Sequence, residues 1–236
     1  MRPIKLMGHE RSLTQVKYNR EGDLLFSVAK DNAASIWYSS NGERLGTLEG
    51  HQGVIWSIDV DPESELCATG GGDLAIKLWK VENGQCVYTW DSPSPVRRVT
   101  FSPDGKKLLA IADQVMGHIG TISVFDLNLD QVSQQPETAS VVIETDSELS
   151  KATVAGYSAD GEYIIAGHDN GYVSKYNAKT GELVDSVRAH GIHNEEKNVT
   201  VTDIQFAPED RSYFITSSKD KCATLIDVET FEILKV

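Results

Sequence analysis

Basic residues are scarce in this chain: 22 lysines and arginines face 35 aspartates and glutamates, for a formal charge of −13. Such a field repels phosphate backbones and anionic membrane surfaces at long range, which argues against direct sequence-specific nucleic-acid binding and against a membrane partner. Cysteine is scarcer still. Cys67, Cys86 and Cys222 are odd in number and far apart, with no C-x-x-C pair to suggest zinc or a redox dithiol, so they read as reduced strand residues. Long apolar runs are missing as well. The longest, LLAIA at 108–112, cannot span a bilayer, and the opening MRPIKLMGH holds no apolar block of secretory length. The expectation is a soluble, cytoplasmic protein, and 40% apolar residues suffice for a packed core.

Helical periodicity is also absent: no stretch of ten or more residues keeps a 3.6-residue pattern. What the chain has instead is internal repetition. Gly8-His9 returns as Gly50-His51, Asp31 as Asp73 and Trp37 as Trp79, always at a spacing of 42 residues. Within each copy, histidine and aspartate are 22 residues apart and the tryptophan follows six later. Less faithful copies continue through RVTFSPDGKKLLAIAD, AGYSADGEYIIAGHDNGYVSKY and DIQFAPEDRSYFITSSKDKCATLID, giving approximate repeats at 8–49, 50–91, 92–144, 150–189 and 190–236. The third is stretched around QVMGHIG and followed by a polar surface loop, LNLDQVSQQPETAS.

Every repeat is built from short runs rich in β-branched and aromatic residues, such as LTQVKY, LLFSV, AASIW and RLGTL, with tight-turn residues like Asn41-Gly42 and Asn83-Gly84 between them. Four antiparallel strands in units of about 40 to 45 residues, marked by Gly-His and Trp, resemble the all-β WD-repeat β-propeller. That resemblance implies a side-chain network in which the turn aspartate binds the histidine of the loop entering the sheet, and a hydroxyl and an indole complete the chain. The residues in those places are His9, Ser27, Asp31 and Trp37, then His51, Thr69, Asp73 and Trp79. The fourth repeat has Ala166, Asn170 and Tyr176 there. The fifth keeps Thr216 and Asp220, has Ile226 for the tryptophan, and is expected to have its histidine displaced by the insertion HGIHNEEKN. The network is expected to be structural, so that alanine at Asp31 or Asp73 destabilises its sheet without abolishing chemistry.

Seven such units, the usual WD-repeat ring, need about 300 residues, so five are expected here, as an N-terminal portion of a longer single domain. The opening IKLM is expected to be the outermost strand of the unit that closes the ring.

Residues with chemical potential are mostly explained by turns. His190-Gly-Ile-His193-Asn-Glu-Glu could suggest a metal, but it lacks a helical i, i+4 register and reads as a solvated loop. Gly70-Gly71-Gly72-Asp73 lacks the G-x-x-x-x-G-K-[ST] pattern of a phosphate loop. Asn198-Val199-Thr200 fits a glycosylation acceptor without a secretory signal to use it. His168-Asp169 reads as a turn. Catalytic residues, metals and cofactors are therefore expected to be none, and the protein is not expected to be an enzyme.

The wording of the chain narrows this further. MGHERSLTQVKYNREGDLLFSVAKDNAASIWYSSNGERLGTLEGHQGVIWSIDVD, together with SPSPVRRVTFSP, ATVAGYSADGEYIIAGHDNG and FITSSKD, closely resembles the i-subunit family of eukaryotic translation initiation factor 3. The resemblance runs through essentially all 236 residues. It implies a non-enzymatic scaffold of the initiation factor complex, held by subunits b and g, that supports mRNA recruitment to the small ribosomal subunit and scanning. Glu195, Glu196, Asp203 and Asp210 are the candidate partner contacts, chosen from expected exposure. A signalling or ubiquitin-ligase adaptor is the alternative reading, and a propeller hydrolase a third.

Overall fold

The computed structural model of the chain describes residues 3–115, 118–145, 150–192, 198–207 and 212–236. These contain twenty strands and no helix, arranged as five four-stranded meanders. The first sheet holds β1 Leu13–Tyr18, β2 Leu24–Ala29, β3 Ala34–Tyr38 and β4 Arg44–Leu48. The second holds β5 Ile55–Val60, β6 Leu66–Gly71, β7 Ala75–Lys80 and β8 Cys86–Asp91. The third holds β9 Val96–Phe101, β10 Lys107–Ala112, β11 Thr121–Asp126 and β12 Val141–Glu144. The fourth holds β13 Ala152–Tyr157, β14 Tyr163–His168, β15 Tyr172–Asn177 and β16 Leu183–Arg188. The fifth holds β17 Val201–Phe206, β18 Tyr213–Ser218, β19 Ala223–Asp227 and β20 Ile233–Lys235. Four-stranded meanders in sequence order, five times over, are the blades of an all-β WD-repeat propeller fold.

The turns recur because the same backbone shape is needed at the same step of each sheet. The residue after the turn aspartate sits in the left-handed region in the first, second and fifth sheets: Asn32, Leu74 and Lys221, at φ of 56°, 66° and 70°. Between third and fourth strands, Gly42, Gly84 and Gly181 take the left-handed place at 74°, 69° and 77°, where a Cβ is costly. In the fifth sheet that place is filled by Phe231 at φ 58°, almost fully buried. A bulge interrupts the first pairing of these sheets at one site, between Leu13 and Gln15, Ile55 and Ser57, Ala152 and Val154, and Val201 and Asp203.

The chain divides into two compact units, 1–110 with 126–138 and 111–125 with 139–236. In the first, Phe26, Val28 and Ile36 pack with Ile55, Ile58 and Trp79 in one apolar cluster. Polar side chains of the first strands join successive sheets side chain to backbone. The Thr14 hydroxyl donates to the Ile55 carbonyl at 2.6 Å, and the Ile58 and Phe101 amides donate to Gln15 and Asp59 at 3.0 and 2.8 Å. In the second unit Val154, Ile165, Val201, Ile204, Phe214 and Ile226 form the corresponding cluster, and the Thr153 hydroxyl donates to the Val201 carbonyl at 2.6 Å. Each such fully buried aliphatic or aromatic side chain stabilises by about 1.5–3 kcal/mol.

The opening IKLM is not a strand in this structure. A strand exists only through a ladder partner, and none of the twenty offers one. Ile4 and Leu6 instead lie against Gly42.

Candidate functional site: buried polar tetrads and exposed carboxylates

The recurring polar residues meet because two periodicities agree. Ser27 pairs with Ser35 across β2 and β3, so Trp37, two residues on, shares the face of Ser27. The indole Nε1–H donates to the Ser27 hydroxyl at 2.7 Å. From the loop entering the sheet, His9 places Nε2 2.8 Å from that hydroxyl and Nδ1 3.2 Å from the Asp31 carboxylate. The Glu10 amide donates to the same carboxylate at 2.8 Å.

The second sheet repeats the arrangement more tightly. Trp79 Nε1 donates to Thr69 Oγ1 at 2.8 Å, Thr69 lies 2.6 Å from His51 Nε2, and His51 Nδ1 lies 2.9 Å from Asp73. An indole nitrogen is only a donor, so the hydroxyl accepts from it and turns its own proton to Nε2. That leaves Nδ1–H to donate to the carboxylate, and a neutral imidazole satisfies every member. The titration behaviour agrees. Burial pushes the His51 imidazole below its ordinary 6.5, outweighing the pull of Asp73. Burial pushes the Asp73 carboxyl up, yet the Gln52 amide and His51 together hold it below the usual carboxylate range. Gly71 is required here for space: a Cβ on it would stand 2.7 Å from His51 Nδ1.

In the fifth sheet the structure corrects the expectation that the insertion displaces the histidine, and the reading of His190 as part of a solvated loop: the residue is buried. His190 places Nδ1 3.2 Å from Asp220 and Nε2 2.9 Å from Thr216, and Gly191 donates its amide to Asp220 at 2.9 Å. The interval to the aspartate is 30 residues, against 22 in the other two networks. The extra residues therefore enter after the histidine and leave its approach to the sheet unchanged. The signal was present in Ala189-His190, where a small residue precedes the histidine as in Gly8-His9 and Gly50-His51. Ile226, fully buried, replaces the indole with apolar packing.

Among the described residues the fourth sheet brings no tetrad together. Ala166 offers no hydroxyl, Asn170 accepts from the Tyr172 amide at 3.2 Å, and Tyr176 is buried in the tryptophan place. His168 is the last residue of β14, not a turn residue as expected, and is fully buried. Its Nδ1 lies 3.1 Å from the Ser150 carbonyl, and its Nε2 has no hydrogen-bond partner among the described residues.

A second recurrent device was not visible in the repeat markers. In each of the first four sheets the residue just after the first strand accepts, on its side chain, the amide five residues later: Asn19 from Leu24, Asp61 from Leu66, Ser102 from Lys107, and Ser158 from Tyr163, at 2.9–3.0 Å. The signal was a short Asn, Asp or Ser just ahead of each β-turn.

Of the candidate partner contacts, Asp203 lies in β17 and accepts from the Gln205 side-chain amide at 3.1 Å. Glu195, Glu196 and Asp210 lie outside the described residues, as does His193. Among the described residues no group of three or more His, Cys, Asp or Glu is placed to hold a metal ion, and no helix is long and apolar enough to cross a membrane.

Known proteins share this chain from end to end. A family model described as EIF3I matches residues 1–236. Eukaryotic translation initiation factor 3 subunit I of Candida albicans is 87% identical over 238 residues, covering 100% of this chain and 68% of that protein. The subunit I proteins of Lodderomyces elongisporus and Aspergillus oryzae are 85% and 54% identical, each again covering 100% of this chain and 68% of its own length. Tetrads on a WD-repeat scaffold are common to many proteins, whereas identity at this level along every sheet is specific: the chain belongs to the family of eukaryotic translation initiation factor 3 subunit I.

Proposed function

We propose that this protein is a non-enzymatic scaffold of the initiation factor 3 complex in the cytoplasm, binding subunits b and g and so supporting mRNA recruitment to the small ribosomal subunit and scanning. The observation that carries the reading is the unbroken match to subunit I across all five sheets. The physical chemistry supports it: the buried polar groups are spent on holding sheets together, and rigid sheets leave their turns free to display contacts. A field of −13 suits gripping basic segments of protein partners in preference to RNA. Affinity purification from cytosol tests the reading. Subunits b and g with small ribosomal subunits should be recovered; cullin or receptor components in their place would support the adaptor reading and overturn this one.

A further inference from the structure

A groove of about 670 Å³ opens on the turn side of the first unit, between the β5–β6 and β9–β10 turns and the loop that follows β11. Its floor includes Leu66 and Val81, and two large apolar residues stand exposed in its walls, Leu45 at 44% and Leu129 at 45%. Leu45 is the bulged residue of β4, left over where Ile36 pairs with Gly46 and Trp37 with Arg44. The loop carrying Leu129 is fixed from within. Gln135, nearly buried, accepts the Asn128 amide at 2.8 Å and donates to the Asn128 and Val132 carbonyls, both at 3.0 Å. Trp90 of β8 donates to the Pro136 carbonyl at 2.8 Å. The wall is thus built before any partner arrives, which lowers the ordering cost of docking.

Six carboxylates line this groove against one lysine, Lys80. Asp61 and Asp104 are committed to turn amides, Glu65 and Leu66 for the first and Lys106 for the second. Glu63, Glu65, Glu82 and Asp130 form no ion pair among the described residues, which leaves four carboxylates facing solvent around an apolar floor. We infer that this groove docks a basic segment of a partner protein in which lysines or arginines alternate with aliphatic residues. The cations meet the four rim carboxylates, and the aliphatic side chains cover Leu45 and Leu129. A nucleic acid is repelled by the same rim, and an acidic peptide likewise.

The inference deepens the scaffold reading and rests on it for the source of the segment, so the experiment separates the two. Full-length protein is expressed in cells as wild type, as the charge-reversed variant E63K/E65K/E82K/D130K, as its neutral counterpart E63Q/E65Q/E82Q/D130N, and as Leu129→Ser. The complexes are purified and joined with a zero-length carbodiimide. Cross-links should join these carboxylates to lysines of one partner subunit, within a net basic stretch. The charge-reversed variant should recover that subunit about tenfold less, the product of several modest exposed charge pairs; added salt should weaken recovery by the wild type, narrow the deficit of the charge-reversed variant, and change the neutral variant least. All four residues are at the surface, so circular dichroism and melting should stay unchanged and separate lost docking from lost folding. Unchanged partner recovery in the charge-reversed variant, or cross-links confined to Lys80 and other residues of this chain, would overturn the groove alone. A wild-type protein that recovers no initiation factor subunits would overturn the scaffold reading instead.

Discussion

The second and fourth sheets solve one problem in opposite ways. Each must fill the space where the entering loop meets the turn between second and third strands. In the second sheet the loop supplies His51, and the strand retreats to Gly71 to make room. In the fourth sheet the position equivalent to Gly71 is His168: Ile55 pairs with Gly71 as Ala152 pairs with His168. The imidazole comes from the strand itself, and the entering loop meets it with a backbone carbonyl, that of Ser150. Among the described residues, the first solution satisfies both ring nitrogens and the second only one. A buried imidazole is therefore not a sign of the tetrad, and what matters is how many of its polar atoms find partners.

The sharpest way to break this comparison is Asp73→Ala. It strands His51 Nδ1–H and the Gln52 amide, and should cost about 3 kcal/mol in chemical denaturation. Thr69→Val, which removes the hydroxyl shared by His51 and Trp79, should cost about 2 kcal/mol. His168→Leu should cost no more than about 1 kcal/mol, since it releases one carbonyl and removes an unpartnered nitrogen; a loss as large as that of Asp73→Ala would show that the two sheets are not built differently. Asp203→Asn, at a partly exposed site, should fall within about 0.5 kcal/mol.

Acid sharpens the same contrast. The folded-state pKa values of His51, His168 and His190 lie below the ordinary 6.5, each because of burial. The unfolded chain then binds more protons as pH falls through 6.5, so stability present above that value declines below it. Asp31, Asp73 and Asp220 are depressed below 3.8: burial raises each, and hydrogen bonds from backbone amides and histidines outweigh it. Their contribution is full above 3.8 and is lost as pH falls through the lower folded values. Denaturation midpoints between pH 7 and 3 should therefore fall in two stages, and His168→Leu should flatten the upper one in part. A midpoint that rises on going from pH 7 to 5 would contradict the assignment.

The first two tetrads were legible in the sequence because their partners recur at one fixed interval. His190 escaped that interval, since residues inserted in the entry loop change the count without moving the histidine relative to Asp220. The turn caps at Asn19, Asp61, Ser102 and Ser158 were hidden by their variety, because any short oxygen acceptor serves. Burial itself was not legible. Ile55, Ile58 and Val60 of β5 are nearly fully covered, while Leu13, Val16 and Tyr18, in the same places of β1, are 55%, 52% and 57% exposed. Both strands read alike; what distinguishes them is that β5 lies against the first strands of two sheets, β1 and β9, while β1 lies against β5.

By itself the sequence determined strand, turn and spacing, because side-chain alternation and left-handed turn positions are properties of a few adjacent residues. Tertiary structure alone decided which carboxylates cap turns and which face a groove, and which histidine has both nitrogens satisfied. Those outcomes depend on atoms brought together from residues tens of positions apart, and no local pattern records which neighbour arrives.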